Sequence, residues 1–331
     1  MATYNPKYTV AIITKDQTKY NVTGAVGRLA LQDNDGEIAQ RATISLADIE
    51  KDGKRLSQIF QVRDRVFVYA NDGEKNEEVF RGFIWERSMN AKNHTLALSC
   101  YDNLIFFQES EEYQFFSKGY STKSICSTLC EKWGVKLHYN YESITHPKMP
   151  CRGNLSDIFK TDLLEEVKKQ TGIKPVMLSR KDEVYIDRVG SNSTIYKLSG
   201  GNKGNVTDVG ESTTMQGMVT KVVILGKEDE NDRAPVADTA VGNTAEYGTL
   251  QKVLNLSSGT DLAEVKKEAQ EILKEKGTPK QTYSVSAVDI PWIRKGDKVN
   301  VEAGTVKGYF IVTSITHNAD SKTMDMEVEK A

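Results

Sequence analysis

The residues with the clearest potential for chemistry in this sequence are cysteines and histidines near its middle. Cys126, Cys130, His138, His146 and Cys151 are of the types that ligate zinc. Zinc ligands usually come in close pairs such as Cys-x2-Cys, whereas Cys126 and Cys130 are four residues apart on the apolar face of a predicted helix. We interpret the cysteines as core residues. We therefore expect no metal site and no cofactor.

Acidic clusters offer a second possible chemistry. The stretch Asp33–Glu37 resembles the start of a calcium loop, but its twelfth position is Ile44 where a bidentate glutamate is required, so we predict a polar turn. Glu109, Glu111 and Glu112 form the densest group of carboxylates. Because a glycosidase holds two carboxylates across a cleft, we interpret these three as part of a solvated linker.

Histidine chemistry also finds little support, since the chain has four histidines in all. His94 and His317 stand next to asparagine or close to it at predicted hairpin turns, where we expect solvated side chains. The sequence contains no Gly-x-Ser-x-Gly, no glycine-rich phosphate loop and no His-Glu-x-x-His. We therefore expect no catalytic residues and a protein that is not an enzyme.

Composition limits the partners of the chain. It has 331 residues, a formal net charge of −2 and a pI near 6.2, so no overall basic field attracts nucleic acid or a membrane surface. No run of about 18 apolar residues is present, and the N-terminus lacks the pattern of a signal peptide. We expect no membrane span and a chain that is made in the cytoplasm, a reducing compartment that suits its few cysteines.

Periodicity predicts two β-rich regions on either side of a helical one. The first region has alternating strands at 8–13, 65–69, 78–87 and 95–101 and predicts a small barrel or curled sheet. Phe80, Phe83 and Trp85 alternate along one of these strands, which favours core or subunit packing over a ligand platform. Helices are predicted after Ser121 and after Asn154 or Ser156, ending at Gly134 and Gly172.

Two stretches of the first β region recur in the last. Asn90–Leu98 aligns without a gap with Asn318–Met326, which lies 228 residues later. Asp64–Val68 aligns with Asp297–Val301 at an offset of 233. The difference of five residues falls in the hairpin Asn71–Glu78, where an insertion costs little. We interpret the two regions as copies of one β unit.

These patterns predict three domains. The first covers residues 1–110, a small α/β module covers 111–195, and the second β domain covers 196–331. Within the second domain we predict a long exposed loop at 227–248, because charges, proline and small residues follow one another without periodicity. A helix is predicted at 261–276, opened by Asp261 and followed by Gly277.

Four motifs together resemble one known family. They are the end of the first β region at Ser99–Leu104, the helix opening at Phe115–Ser121, the helix end at Asp162–Gly172, and the strand entry at Ile293–Val301. The combination resembles baseplate hub proteins of contractile phage tails and of R-type bacteriocins, especially from prophages of Gram-positive bacteria. It is more distantly similar to the late control protein D family and to the N-terminal part of type VI secretion spike proteins.

The resemblance implies an α+β, mainly β, fold in which two tail-tube-like β-barrel domains flank a small α/β module. It also implies a structural hub: a homotrimer that forms a pseudo-hexameric ring and joins the hexameric tail tube to the trimeric spike. The spike would be a separate chain, because no needle follows the second barrel here. Other baseplate proteins would be further partners, and DNA would be involved only as possible channel cargo. Assembly in the bacterial cytoplasm would place the protein in the baseplate of the released particle.

Two other functions remain open from the sequence. Residues 121–188, two predicted helices with short strands, look somewhat like small wall-binding domains, so a peptidoglycan- or carbohydrate-binding tail protein is one alternative. A tail-associated wall hydrolase is the other. The sequence does not discriminate between a phage and a bacteriocin.

Overall fold

The computed structural model describes residues 5–226, 234–256 and 261–331. The chain divides into two compact units, of which the first contains Met1–Gly210 and Ser284–Ala331 and the second contains Glu211–Tyr283. Among the described helices, none combines the length and apolar character that crossing a membrane requires. The division into domains at 110 and 195 that the sequence suggests stays a prediction.

The first lobe is built from the N-terminal strands of unit 1. Its elements are β1 (Lys7–Ile13), β2 (Lys19–Asn21), a 3-10 turn (Thr23–Ala25), β3 (Val26–Asp33), β4 (Arg41–Ala47), β5 (Glu50–Lys51), β6 (Lys54–Arg55), α1 (Leu56–Ile59), β7 (Arg65–Asn71), β8 (Asn76–Asn90) and β9 (Thr95–Tyr101). The main sheet runs β3-β4-β9-β8-β7-β1-β2. It curls around one core, because alternate residues such as Ile12, Ile44, Val66 and Leu98 point inward and are buried together.

The α/β module follows in the same unit. Its elements are α2 (Ile105–Gln108), β10 (Glu111–Phe116), α3 (Thr122–Lys132), β11 (Leu137–Asn140), β12 (Met149–Asn154), α4 (Leu155–Asp157), a π-helical segment (Ile158–Leu164), α5 (Glu165–Thr171), β13 (Pro175–Arg180) and β14 (Glu183–Arg188). Ser121 caps α3 and Asn154 caps α4 through side-chain oxygens that accept backbone N–H groups. Both predicted helices are therefore confirmed, with Asn154 as the cap of the second.

The remaining elements form the second lobe and unit 2. In chain order they are β15 (Tyr196–Ser199), β16 (Val206–Thr214), β17 (Lys221–Leu225), β18 (Val236–Val241), α6 (Thr244–Tyr247), β19 (Gln251–Asn255), α7 (Leu262–Lys276), β20 (Lys280–Val288), β21 (Lys298–Ala303), β22 (Val306–Asn318) and β23 (Thr323–Lys330). The second lobe comprises β15, β16 and β20–β23, in the order β16-β20-β23-β22 with β15 next to β21 and β21 next to β22. In unit 2, α7 packs Val265 and Ala269 against Val222 and Ile224 of β17.

The two lobes have the same strand order. Sheet order β3-β4-β9-β8-β7-β1 in the first lobe corresponds to β16-β20-β23-β22-β21-β15 in the second. The outermost pair differs, since β1 is antiparallel to β7 whereas β15 is parallel to β21. Residues 215–279, which make up most of unit 2, lie in the sequence between β16 and β20, where the first lobe has only the turn between β3 and β4.

Strand registers match as well as strand order. Arg65 pairs with Phe83 between β7 and β8, and Lys298 pairs with Ile311 between β21 and β22. Lys298 lies 233 residues after Arg65, and Ile311 lies 228 after Phe83, which are the two offsets of the sequence repeat. The duplication inferred from the sequence is confirmed by this register.

A β-bulge recurs at the same place in both lobes. The register between β8 and β9 shifts between Ile84 and Glu86, and the register between β22 and β23 shifts between Val312 and Ser314. Each pair is related by 228 residues. Because a bulge bends its strand and increases the local twist, both lobes curl at equivalent positions.

Several predictions need correction. The fold class, mainly β with small helices, is confirmed, but the described strand pairings leave both lobes open, since the outer edge of β3 pairs with β22 and not with β1. The predicted loop 227–248 contains β18 and α6 between residues 234 and 248, because β17 offers an apolar edge on which β18 pairs. Residues 227–233 lie outside the described chain. The predicted helix 261–276 is present as α7 with Asp261 as its cap.

Candidate functional site at the junction of the lobes

The two lobes meet through a strand pair that makes them one continuous sheet. The end of β22 pairs antiparallel with β3, with Asn318 opposite Ala30 and Ile315 opposite Asp33. This pairing joins seven strands of the first lobe to six of the second in a 13-stranded sheet. We define the lobe junction as this strand pair together with the polar contacts described next.

An ion pair of Arg294 and Asp33 lies at one end of the junction. Arg294 Nε donates to Asp33 Oδ2 at 2.5 Å and Nη2 donates to Oδ1 at 3.1 Å, a bidentate geometry. Only 13% of the Arg294 side chain and 1% of the Asp33 side chain are exposed. Burial opposes ionisation of Asp33, but Arg294 outweighs it, so the pKa of Asp33 lies below its usual range. Asp33, which the sequence suggested as part of a turn, is therefore a junction residue.

Lys295 and Trp292 add contacts from the same connection between β20 and β21. Lys295 Nζ donates to the carbonyl of Asn34 at 2.9 Å and also to the carbonyl of Glu37. Burial lowers the pKa of Lys295 from its ordinary value, and the neighbouring Asp33 partly offsets this effect. Trp292 Nε1 donates to Asp72 Oδ2 at 3.2 Å. Lys295 and Trp292 thus hydrogen-bond the second lobe to the turn after β3 and to the hairpin after β7.

His317 is the residue whose environment the sequence prediction had wrong. We expected a solvated turn residue, but its side chain is 1% exposed, because β3 covers β22 at this point. His317 Nε2 lies 2.9 Å from the carbonyl of Ile293, and Nδ1 lies 2.6 Å from Asp289 Oδ1. Tyr8 donates its hydroxyl to the other oxygen of Asp289. His94, by contrast, lies in an exposed turn, as predicted.

The Asp289–His317 pair has two members of a catalytic triad but a different function. In a triad the Nε2 of histidine takes a proton from the nucleophile. Here Nε2 faces the backbone carbonyl of Ile293, which only accepts hydrogen bonds, so Nε2 carries a hydrogen and is engaged. Both side chains are almost fully buried. The pair therefore holds β22 to the connection between β20 and β21 and to β1.

Two further buried carboxyls lie near the junction. Burial raises the pKa of Asp102 to about 7, although its oxygens accept the backbone N–H groups of Gln40 and Leu104, each at 3.0 Å. Burial likewise raises the pKa of Asp297 to about 6, while Asp297 accepts the backbone N–H of Arg294 at 2.8 Å. Asp64 accepts the backbone N–H of Gln61 at 2.7 Å in the same way, so this turn is present in both lobes.

Gly296 differs from Arg63, the equivalent residue of the first lobe, in what surrounds it. It has a left-handed φ of 87°, and the equivalent Arg63 has φ 74°. A Cβ at position 296 would lie 2.8 Å from Val176 Cγ2 in the α/β module, so only glycine fits there. Arg63 instead stacks its guanidinium on Phe83 and Phe106.

The residues considered as metal ligands lie in the α/β module. Cys126, Cys130 and Cys151 are buried in its hydrophobic core, as predicted for core cysteines. His146 is buried 2.8 Å from the hydroxyl of Thr122, and His138 lies 2.6 Å from Glu183. Among the described residues, no group of three or more His, Cys, Asp or Glu side chains is arranged to hold a metal ion.

The acidic cluster after the first lobe is more ordered than we predicted. Glu111 and Glu112 begin β10, and Glu112 is buried, with Lys132 Nζ at 2.5 Å and Trp133 Nε1 at 2.9 Å. Burial opposes ionisation of Glu112, but these hydrogen bonds lower its pKa below the usual range. Glu109 is exposed. The solvated linker is therefore wrong for Glu112, which anchors β10 to α3.

Comparison with known proteins identifies the family of the chain. The family model described as YQBQ-like matches residues 17–329. The chain belongs to the YQBQ-like family. No curated protein matches it.

Solved structures show which fold this YQBQ-like chain has. The 43 kDa tail protein of prophage MuSo2 from Shewanella oneidensis is 13% identical with a TM-score of 0.71, and 98% of each chain is covered. The tail protein from Neisseria meningitidis MC58 is also 13% identical, with a TM-score of 0.68 and coverage of 98% of this chain and 97% of that one.

A third solved structure comes from a secretion system. The Escherichia coli c3393 protein, a type VI secretion component described as similar to the phage T4 tail proteins gp27 and gp5, is 10% identical with a TM-score of 0.55. The match covers 93% of this chain and 74% of that one. The three likenesses show that the chain shares its fold with these tail and secretion-system proteins.

Proposed function

We propose that this YQBQ-like protein is a structural hub of a contractile tail baseplate. Three copies form a ring whose six β lobes imitate sixfold symmetry. The hexameric tail tube stacks on one face of the ring, and a trimeric spike, encoded as a separate chain, attaches to the other. The likeness in fold to phage and prophage tail proteins supports the tail role.

The observation that carries the proposal is the match of register between the lobes. Equivalent strand pairs, such as Arg65 with Phe83 and Lys298 with Ile311, are related by the same offsets as the sequence repeat. A chain with two equivalent β units presents two equivalent surfaces to its surroundings. Three such chains offer six surfaces to a hexameric partner while keeping threefold symmetry for the spike, which is what an adaptor between the two symmetries requires.

The junction supports a mechanical role for the pair of lobes. A 13-stranded sheet runs through both lobes, and the buried pair Arg294–Asp33 crosses the lobe junction. Such a junction resists shear better than a flexible linker between two domains, because sliding would break the strand pairing and leave a buried charge without its partner. A hub that transmits force from tube to spike needs this stiffness.

The remaining parts of the proposal concern chemistry and place. We infer a non-enzymatic protein, supported by the engagement of His317 Nε2 with a backbone carbonyl. Assembly occurs in the bacterial cytoplasm, and the mature protein belongs to the baseplate of a phage or R-type bacteriocin particle. Other baseplate proteins surround the ring, and DNA is at most cargo in its channel.

Sedimentation velocity of the full chain tests the proposal over a wide concentration range. We expect a species of three times 37.0 kDa to appear as the concentration rises, and co-purification with the tube protein and the spike protein of the same gene cluster. A chain that stays monomeric at every concentration and binds neither protein would show that the hub assignment is wrong.

A further inference from the structure

The end of β22 in the second lobe has a strand on each side. Residues 315–318 pair with β23 on one edge and with β3 of the first lobe on the other. This double pairing buries both Ile315 and His317, each 1% exposed. The junction therefore completes the sheet on both edges of β22.

The equivalent end of β8 in the first lobe has a strand on one side. Residues 87–90 pair with β9, and the described strand pairings place no strand on the opposite edge. Met89, which corresponds to His317, is 45% exposed. The backbone N–H of Asp48 donates to His94 as that of Asp289 donates to Lys322, so Ile49 corresponds to Ile290. Ile49 is 49% exposed, whereas Ile290 is 9% exposed. We call the unpaired edge of residues 87–90 the open edge of β8, and we assign to it, by equivalence with the junction, the exposed residues Ile49, Val62 and Met89.

A strand that would fit this open edge exists in the second lobe. β16 occupies the position in sheet order that β3 occupies in the first lobe, and it stands at the end of the described sheet. β3 uses its outer edge to cover β22. In the described part of the sheet, β8 of the first lobe therefore offers an edge equivalent to the covered edge of β22, and β16 of the second lobe is the equivalent of the covering strand β3.

We propose that β16 of one copy adds to the open edge of β8 in a second copy. The contact repeats between chains the junction that β3 and β22 make within a chain. It rests on the proposed hub function, for which it supplies the interface between subunits. Because the contact joins different surfaces of the two copies, an open assembly retains one free β8 edge and one free β16 edge, and addition continues until the ring closes. Ring closure removes both open edges, which would otherwise invite unspecific pairing.

The contact between copies has a different chemistry from the junction within a chain. Arg294 and Lys295 of the junction correspond to Gln61 and Val62 on the open edge. The open edge therefore lacks the two cations that grip the turn after β3. Apolar burial of Ile49, Val62 and Met89 and backbone hydrogen bonds would hold the second copy. We expect an association that depends on concentration, in contrast to the permanent junction within the chain.

Cysteine cross-linking of the full chain tests the contact. Ser88→Cys on β8 is combined with either Asp208→Cys or Ser212→Cys on β16, all three exposed positions, and treated with a short bismaleimide. The native cysteines are buried and serve as the unreacted background. We expect covalent dimers and trimers and no larger species. The control pair is Ser88→Cys with Tyr309→Cys, whose residue is 55% exposed on β22 away from the open edges, and it should give no ladder.

The outcomes separate this inference from the hub function itself. Trimers in sedimentation without cross-links from either pair would overturn the β8–β16 contact and leave the hub assignment intact. A chain that stays monomeric at all concentrations, gives no cross-links and binds neither the tube protein nor the spike protein would overturn both.

A charge on the open edge provides a second measurement. Met89→Lys should weaken association at least tenfold while the thermal midpoint of the monomer stays unchanged, because edge lysines prevent strand addition. Tyr309→Lys, at another exposed strand position, should leave association as it is. Equal association of the two variants would contradict the contact.

Discussion

The two lobes share a fold unit but differ at one edge. In the second lobe β3 covers β22, and His317 is 1% exposed; in the first lobe the same edge of β8 is open, and the equivalent Met89 is 45% exposed. The strand register and the β-bulge are the same in both. The difference therefore comes from the surroundings of each lobe: a strand of the same chain covers one edge, and no described strand covers the other.

The two edges also differ in their side chains. The covered edge has buried polar pairs, namely Arg294 with Asp33 and His317 with Asp289. On the open edge, Gln61 and Met89 stand at the positions of Arg294 and His317, and the exposed Val62 stands at the position of Lys295. The lobe junction within one chain can hold buried charges because they are always paired.

The largest effect should come from β23, the last strand of the second lobe, and from its equivalent β9 in the first lobe. Met324 and Met326 are 0% and 3% exposed, and the equivalent Leu96 and Leu98 are equally buried. Replacing both methionines with aspartate buries two carboxylates at several kcal/mol each, which is comparable with the whole stability of a domain, about 5–15 kcal/mol. We expect no soluble, folded protein. Circular dichroism of the soluble fraction checks this, with the exposed Glu327→Gln as control.

A folded double mutant would show that alternation in β23 is not what specifies the lobe. The corresponding pair Leu96→Asp and Leu98→Asp should fail in the same way, because the two strands have equivalent roles. If only one lobe tolerated the change, the lobes would not be structural equivalents.

The next largest effect should come from removing the Arg294–Asp33 ion pair at the lobe junction. Arg294→Met leaves Asp33 as a buried charge without its partner, and we expect a loss of about 3–5 kcal/mol in the free energy of unfolding. Gln61→Met, at the equivalent exposed position of the first lobe, should change it by about 0.5 kcal/mol or less. Urea unfolding followed by fluorescence measures both.

A double variant separates charge from packing at the lobe junction. Asp33→Leu combined with Arg294→Met replaces the pair with apolar side chains and should recover part of the loss. No recovery would mean that the geometry of the guanidinium, and not the buried charge, is what the lobe junction requires.

Much of each lobe could be predicted from the sequence because its signals are local. Asn90–Leu98 and Asn318–Met326 show the repeat directly, and caps such as Ser121 and Asp261 mark helix starts in adjacent residues. The junction could not be predicted in this way. Arg294 and Asp33 are 261 positions apart, and neither lies in a motif that names the other.

His317 shows the same limit for burial. Its neighbours Asn318 and Asp320 are turn formers, so a solvated side chain was the reasonable prediction. What buries it is β3, which belongs to the other lobe. Likewise, two valines of β18 are more than half exposed, so its sequence does not show the alternation of buried and exposed residues that predicts a strand. β18 is a strand because it pairs with β17. Local periodicity predicts elements, and long-range pairing decides which of their faces are covered.

Exchanging the equivalent residues His317 and Met89 tests the comparison with a smaller expected change in stability. His317→Met removes a partner from the buried Asp289, and we expect a loss of about 1–3 kcal/mol in the free energy of unfolding. Met89→His places the polar ring on the open edge, where we expect a change within about 0.5 kcal/mol. Thermal unfolding of the two variants at one pH measures the difference. Equal losses would contradict the contrast between covered and open edges.

The smallest effect concerns the ends of the equivalent strands β9 and β23. Asp102 follows β9 and is buried, with a pKa of about 7, while the corresponding Lys330 is exposed. Because the pKa of Asp102 in the folded chain lies above that of an unfolded aspartate, the folded state binds the proton more tightly between about pH 4 and 7, and stability falls as the pH rises through this range. From pH 6 to pH 8 the loss due to Asp102 should be on the order of 1 kcal/mol. Asp102→Asn should remove this part of the slope, whereas Lys330→Asn should leave the slope unchanged. Urea midpoints at the two pH values provide the measurement. If the wild type and Asp102→Asn had parallel profiles, the carboxyl would be ionised in the fold at pH 6, and burial beside the junction would not control its proton.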